Sequence, residues 1–137
     1  MKIQFTFMGI PIAKGRPKFA RYGNFVKAYT PQDTINAEQD FKYQSLRYRP
    51  QTPIIGAISL KIDTYRPMQK GMSKKKQELA KAGILRPTVK PDWDNLAKLV
   101  CDAMNGIFYK DDNQIVCCIV NKYYSDIPRI EIFLETL

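Results

Sequence analysis

The residues best suited to chemistry lie between positions 91 and 112, in the run PDWDNLAKLVCDAMNGIFYKDD. Five of the 13 acidic residues of the chain fall in this run: Asp92, Asp94, Asp102, Asp111 and Asp112. Residues 1–30, by contrast, carry six basic residues and no acidic one. Because clustered carboxylates repel one another unless cations compensate, the run predicts a site for a divalent metal ion.

The spacing within this run places three charged side chains on one face of a predicted helix. Apolar residues recur at positions 96, 99, 100 and 103, so we expect a helix from about Asp94 to Asn105 with this stripe buried. Asp94, Lys98 and Asp102 are four residues apart and fall together on the opposite side. Lys98 would then lie near a phosphate bound at the helix N-terminus, with Asp102 able to orient it.

The carboxylates at the start of the run predict a site for Mg²⁺. Asp92 and Asp94 are two residues apart in a segment that Pro91 holds extended, so we expect their side chains to point the same way. Mg²⁺ is commonly held by one or two carboxylates plus substrate phosphate. We therefore expect a metal that activates water for displacement at phosphorus, held by Asp92, Asp94 and one or both of Asp111 and Asp112.

These residues also have ordinary structural interpretations. Asp94 fits the N-cap of the helix, where Asp is strongly favoured. Lys98 and Asp102 fit a surface ion pair at i,i+4 spacing. Asp111 and Asp112, followed by an asparagine, fit a turn. On the pattern alone, both interpretations stay open.

The composition of the chain narrows the chemistry further. Its 137 residues contain no histidine, which excludes Ser-His-Asp and Cys-His catalytic pairs and His-ligated zinc. The 22 Lys and Arg against 13 Asp and Glu give a formal net charge of +9, which predicts a polyanionic partner, either nucleic acid or an anionic membrane surface. No apolar run approaches the ~20 residues of a membrane helix, and the N-terminus lacks a signal-peptide pattern, so we expect a cytoplasmic protein with no membrane partner. The three cysteines lack zinc-finger spacing, which predicts reduced, buried thiols.

The remaining pattern predicts the elements that must position the run. Alternating apolar residues predict four strands, at 2–9, within 54–65, at 114–124 and at 129–136, the last two joined by a turn. Capping and breaker residues predict two further helices, at about 31–48 and 73–82. Two prolines and two glycines predict an irregular, mobile segment at 11–30. This order predicts a single α+β domain over residues 1–137, with a small mixed β-sheet of about four strands and two to three helices packed against it.

A basic segment near the N-terminus predicts contact with nucleic acid. Its cations are Lys14, Arg16, Lys18, Arg21 and Lys27, and they alternate with Phe19, Tyr22 and Phe25. Cations bind phosphates, and a flat ring can stack on an unpaired base. The alternative is a solvated charged face with the rings in the core. A solvated helix face is likewise the alternative to DNA contact for Lys74, Lys75 and Lys76.

The run that begins at Pro91 resembles the signature of the RusA family of Holliday junction resolvases, D-x-D-N-x-x-K-x-x-x-D followed by D-D. Seven residues fill this pattern in order: Asp92, Asp94, Asn95, Lys98, Asp102, Asp111 and Asp112. Residues 11–17 are similar to the P-x-x-K-x-R-P segment of the family, and residues 29–31 fit the entry to its first helix. Residues 50–90 add little to the resemblance, and residues 66–90 form a longer basic connection than compact members have.

The resemblance implies a small homodimer that binds four-way DNA junctions and nicks symmetric strands, with Mg²⁺ or Mn²⁺ as cofactor. It implies metal ligands at Asp92, Asp94 and Asp112, with Asp111 as a further ligand or behind them. It also implies a catalytic lysine at Lys98, with Asn95 and Asp102 supporting the site from behind. Members of the family often occur in phages and prophages.

The leading hypothesis is therefore a metal-dependent, structure-selective endodeoxyribonuclease acting in DNA recombination and repair. One alternative is a non-catalytic nucleic-acid-binding module whose carboxylates are caps and turns. The other is an RNA-binding or ribosome-associated protein, as small basic domains often are.

Overall fold

The computed structural model describes residues 1–12, 18–29 and 32–137, which form six strands and three α-helices. In chain order these are β1 (Lys2–Met8), β2 (Lys18–Tyr22), β3 (Phe25–Tyr29), α1 (Gln32–Ser45), β4 (Ile58–Arg66), α2 (Lys74–Lys81), α3 (Trp93–Met104), β5 (Ile115–Tyr124) and β6 (Arg129–Thr136). Short 3₁₀ helices cover Leu46–Tyr48 and Asp112–Gln114. The predicted α+β class with a small mixed sheet is confirmed.

Four of the strands form one sheet in the order β1-β6-β4-β5. β6 pairs antiparallel with both β1 and β4, whereas β4 and β5 are parallel. β5 and β6 are joined by a short turn, as predicted, but they are not neighbours, because β4 lies between them. Parallel neighbours need a long connection. Residues 67–114 supply it, and they carry both α2 and α3.

Alternating residues of the sheet build the core. Ile58, Leu60 and Ile62 of β4 are fully buried, as are the corresponding residues of β6: Ile130, Ile132 and Leu134. α3 lies against this layer through the predicted stripe, whose members are all buried: Leu96, Leu99, Val100 and Ala103. Phe41 of α1 and Phe5 of β1 complete the cluster, with ring centroids 6.1 Å apart. The outward side of α3 is thereby left to charged residues.

The prediction of an irregular segment at 11–30 is wrong for the part that the structure describes. β2 and β3 pair antiparallel as a separate two-stranded sheet, with Tyr22 opposite Phe25. The turn between them contains Gly23, whose φ of +60° lies in the left-handed region that favours glycine. The Gly-Asn pair between two alternating runs is typical of a hairpin turn. The prediction was wrong because it relied on the number of prolines and glycines in the segment instead.

The predicted helices differ from the observed ones mainly at their ends. Ser73 caps α2 as predicted, since its Oγ accepts a hydrogen bond from the Lys76 N–H at 3.3 Å. α1 ends at Ser45 and continues as a 3₁₀ turn to Tyr48, while its predicted start at Thr30 and Pro31 lies outside the described residues. No helix in the described ranges is long and apolar enough to span a membrane.

β5 forms an edge of the sheet, and the first half of this strand is exposed. Val116 is 64% exposed and Ile119 is 50% exposed. The prediction of buried thiols is wrong for the intervening Cys117 and Cys118, which are exposed, and holds only in part for the half-buried Cys101. All three cysteines are free thiols, as expected. Among the residues that the structure describes, no further strand covers this edge, and the thiols of β5 are left exposed.

Candidate active site

Asp92 and Asp94 mark the start of α3. Asp92 is the N-cap, with extended backbone, yet its side chain makes no capping hydrogen bond. The helix begins at Trp93, so Asp94 lies in the first helical turn. Two expectations are corrected here: Asp94 is not the cap, and the two carboxylates do not sit on one extended segment. Both lie at the N-terminal end of α3, where the helix dipole is positive.

Lys98 and Asp102 continue the same face of α3. The Lys98 Nζ lies 3.8 Å from Oδ2 of Asp102. The Lys98 side chain is 63% exposed, but that of Asp102 is only 19% exposed. The pair therefore differs from an ordinary surface ion pair, because a sheltered carboxylate holds an ammonium that faces solvent. Asn95 is half-buried one turn nearer the N-terminus.

Asp111 and Asp112 begin a 3₁₀ turn just before β5. The Asp111 carboxylate caps this turn by accepting a hydrogen bond from the Asn113 N–H at 3.2 Å. The pKa of Asp112 is raised, first by a hydrogen bond with Asp111, then by partial burial and by the negative charges of Asp111 and Asp102. The positive charge of Lys98 opposes this rise. These interactions place Asp102, Asp111, Asp112 and Lys98 in one charged cluster.

The predicted site residues thus form a row rather than a closed cage. At ~1.5 Å of rise per residue, Asp94 lies about 6 Å along α3 from Lys98 and about 12 Å from Asp102. Within the described ranges, no three acidic or cysteine side chains converge closely enough to hold a metal ion between them. The structure joins Asp111 and Asp112 to Lys98 and Asp102, and it leaves Asp92 and Asp94 at the far end of the row.

Gln114 holds the Asp111–Asp112 turn in place, and sequence reasoning missed it. Its Oε1 accepts hydrogen bonds from the N–H groups of Lys110 at 2.9 Å and Asp111 at 3.1 Å. Its Nε2 donates to the carbonyl oxygens of Ile54 at 2.9 Å and Gly56 at 3.0 Å. The spacing Asp-x-x-Gln is that of a capping box, a signal that was available in the sequence.

Tyr109 fixes the connection between α3 and this turn. Its ring is fully buried, and its hydroxyl donates a hydrogen bond to the Cys101 carbonyl oxygen at 2.7 Å. Burial raises the pKa of the Tyr109 hydroxyl strongly, and it raises the pKa of the neighbouring Cys101 thiol to about 12. Gly106, with φ of +76°, turns the chain between α3 and Tyr109. Neither group is available as a base near neutral pH, so both are structural supports.

The structure covers the predicted nucleic-acid contacts only in part. Lys14 and Arg16 lie outside the described residues, while Lys18, Arg21 and Lys27 belong to the hairpin of β2 and β3. Arg21 is exposed, and its Nε donates a hydrogen bond to the Gly23 carbonyl oxygen at 3.1 Å. Phe19 and Phe25 are 73% and 77% exposed, so these rings are not part of the core. Exposed rings on a hairpin that also carries an exposed cation favour the stacking interpretation.

Comparison with known proteins bears on the whole chain. The family model described as Endodeoxyribonuclease RusA matches residues 9–135. A protein of Bacillus subtilis (strain 168), named "Uncharacterized protein YqaN", is 42% identical over 135 residues, which span 97% of this chain and 95% of that protein. The family match contains both ends of the charged row on α3 and the turn that follows it.

Proposed function

Because the chain belongs to the RusA family of endodeoxyribonucleases, we propose that it resolves four-way (Holliday) DNA junctions by paired symmetric nicks. On this proposal residues 1–137 are a single nuclease domain that acts on DNA in the cytoplasm during recombination and repair, including that of prophages. The observation that carries the proposal is the charged row of α3, in which an exposed lysine lies between carboxylates at both ends. A displacement at phosphorus needs such an arrangement of anions and a cation.

The donor chemistry of the row fits Mg²⁺ or Mn²⁺. Crowding raises the pKa of Asp112 through its hydrogen bond with Asp111 and through nearby negative charge, and a divalent cation relieves such repulsion. The proposed ligands are oxygen donors, as Mg²⁺ prefers: Asp92, Asp94, Asp111 and Asp112. When bound, the metal would activate water and stabilise the charge that develops at phosphorus. The Asp92 carboxylate is not engaged in capping its helix, which leaves it available for this role.

Lys98 is the proposed catalytic lysine. Its ammonium group is exposed, so a scissile phosphate can reach it, and the sheltered Asp102 carboxylate holds it from one turn behind. A cation at this position would offset negative charge on the phosphate as the bond breaks. Asp102 and the half-buried Asn95 would then position the site without touching the metal.

We propose that the protein acts as a homodimer paired through the edge of β5. Four consecutive residues are exposed on this strand, which has no outer neighbour among the described strands: Val116, Cys117, Cys118 and Ile119. Residues 115–121 contain no charge and no proline, the features that usually protect an edge strand. Antiparallel pairing about a two-fold axis would lay this uncharged stretch against the same stretch of a second copy. Two sites related by a two-fold axis suit a junction with two symmetric strands.

A cleavage assay on a fixed four-way junction, with linear duplex as control, tests the proposed function. We expect paired nicks in Mg²⁺ and none in EDTA. Asp94→Asn should reduce cleavage at least ~100-fold while junction binding survives, because it removes a negative oxygen donor from the metal. Asp40→Asn, on exposed α1 surface, is the matched control. Undiminished cleavage by Asp94→Asn would defeat the site assignment, and tight binding without cutting in any divalent metal would leave a DNA-binding module.

A further inference from the structure

Two segments of the chain are strongly basic: residues 1–30, and the connection from the end of β4 to α3. Residues 66–90 contain eight Lys and Arg against one Glu, a net +7 in a chain whose total is +9. This is also the stretch that the family signature explains least. Charge held in one segment of ~25 residues raises the local potential far more than the same charge spread over the surface.

We propose that this connection forms a groove that binds the phosphate backbone of a duplex arm of the DNA, beside the nuclease site. The groove is an open cavity of about 370 Å³ between the loop 69–73 and residues 85–89. Lys70, Lys76 and Arg86 supply cations to its lining, and Ser73 supplies a hydroxyl. None of the described lining residues is acidic. The inference rests on the proposed function for the identity of the polyanion.

One side of the groove, formed by residues 85–89 and called here the far wall, is held in place by contacts within the protein. The Arg86 Nε donates a hydrogen bond to the Lys122 carbonyl oxygen at 2.9 Å, and its guanidinium lies 4.2 Å from the centre of the Tyr123 ring. Lys122 in turn donates from Nζ to the Val89 carbonyl oxygen at 2.7 Å. These contacts attach residues 86–89 to the end of β5. A preformed cationic wall loses little entropy when a phosphate binds.

The other side of the groove, the near wall, is formed by residues 69–73 and Lys76, and its lysines are free to bind an anion. Lys70 and Lys76 are exposed, and neither forms an ion pair with any residue that the structure describes. Lys81, farther along α2, is instead paired with Asp126 at 3.4 Å. The two lysines that line the groove therefore have no anionic partner in the described part of the chain.

The groove lies close to the nuclease site along the chain. Val89 lines the groove, and Asp92 follows it by three residues. Three residues span at most ~10 Å, and a DNA strand rises ~3.4 Å per nucleotide. A strand whose phosphates occupy the groove would thus pass Asp92, at the start of the charged row, within about three nucleotides. The concave shape favours a nucleic-acid backbone over a membrane, because cations on both sides of a groove fit a ridge of phosphates better than a flat lipid surface.

Junction binding measured in EDTA as a function of salt tests this inference separately from cleavage. The double variant Lys70→Gln/Lys76→Gln removes two cations of the groove. Each phosphate contact contributes ~0.9 to the slope of log K against log salt, so we expect the slope to fall in magnitude by about 1.8. In Mg²⁺, KM should rise while kcat stays within about twofold, because the groove binds the substrate and its transition state equally.

Lys74→Gln/Lys75→Gln is the matched control, since it removes the same charge from the same segment at residues that do not line the groove. We expect it to keep most of the slope. An equal loss in both variants, or no loss in either, would overturn the groove as the binding site even if the wild-type protein cleaves junctions. Binding to vesicles with 30% phosphatidylserine as tight as to duplex DNA would also overturn it. A wild-type protein that binds DNA through the groove but never cuts would instead count against the proposed function alone.

Discussion

Replacing Gln114 with alanine removes four hydrogen bonds: two to the backbone of Lys110 and Asp111 at the turn, and two to the chain before β4. A typical intramolecular hydrogen bond contributes ~1 kcal/mol net. Because Gln114 is only half-buried, water replaces part of this loss, and we expect a destabilisation of about 2–3 kcal/mol. For a chain of this size that is a fall of roughly 6–12 °C in Tm.

Gln114→Glu tests the two bonds that Gln114 accepts separately from the two bonds that it donates. A glutamate keeps an acceptor for the N–H groups of Lys110 and Asp111, as in an ordinary capping box. It loses the two donated bonds to Ile54 and Gly56 and brings a negative charge to their carbonyl oxygens. We therefore expect the turn to keep its local shape and to detach from the chain before β4. Both variants should reduce junction cleavage about tenfold or more, because a ~1 Å displacement of Asp111 and Asp112 is enough to misplace catalytic groups.

The assays are thermal unfolding and junction cleavage, with junction binding in EDTA as the reference. Gln39→Ala on the exposed surface of α1 is the matched control, and we expect it to stay within about 0.5 kcal/mol of wild type. If Gln114→Ala unfolds at the wild-type temperature and cuts at the wild-type rate, Gln114 does not hold the turn. A loss of binding as large as the loss of cleavage would show that the turn contacts DNA instead.

Two further predictions concern β5 and the cysteines. Ile119→Lys places a charge on the exposed edge of β5 and should convert the dimer to a monomer, as measured by sedimentation over a concentration series. Ile84→Lys, at another exposed residue, is the control and should leave the dimer intact. If Ile119→Lys also leaves the dimer intact, this edge is not the interface. With a pKa of about 12, Cys101 has roughly a thousandth of the thiolate fraction of a thiol whose pKa is the ordinary 9.0. At pH 8 iodoacetamide should therefore label the exposed Cys117 before Cys101, as followed by mass spectrometry. Labelling of both at similar rates would contradict the burial of Cys101.

The sequence was most informative where structure depends on local pattern. The stripe on α3, the capping serine of α2 and the four strands of the main sheet follow from residues a few positions apart, and each was predicted correctly. The charged face with Lys98 between Asp94 and Asp102 followed from the same periodicity. One local error occurred at the start of α3, where the residue after Asp92 already belongs to the helix. A shift of two residues there changed which carboxylate is the cap.

Features that depend on distant residues could not be predicted from the sequence. The parallel pairing of β4 with β5 joins residues 58 positions apart, such as Leu60 and Cys118. That pairing determines which edge is exposed, and hence the exposure of Cys117 and Cys118. The hydrogen bond from Gln114 to the Ile54 carbonyl oxygen likewise joins residues 60 positions apart. A capping box was visible in the sequence, but its partner across the fold was not.

The parallel pairing of β4 and β5 also explains why the proposed chemistry lies where it does. A strand that returns parallel to its neighbour needs a long connection, and in this chain residues 67–114 provide it. The proposed groove, the row on α3 and the Asp111–Asp112 turn all belong to that one connection. The residues that this connection adds to the main core cluster, on α3 and at Phe108 and Tyr109, all follow residue 90, so the basic portion before them can lengthen without disturbing the sheet. Such a connection is therefore the place where this fold can gain DNA contacts at little cost in stability.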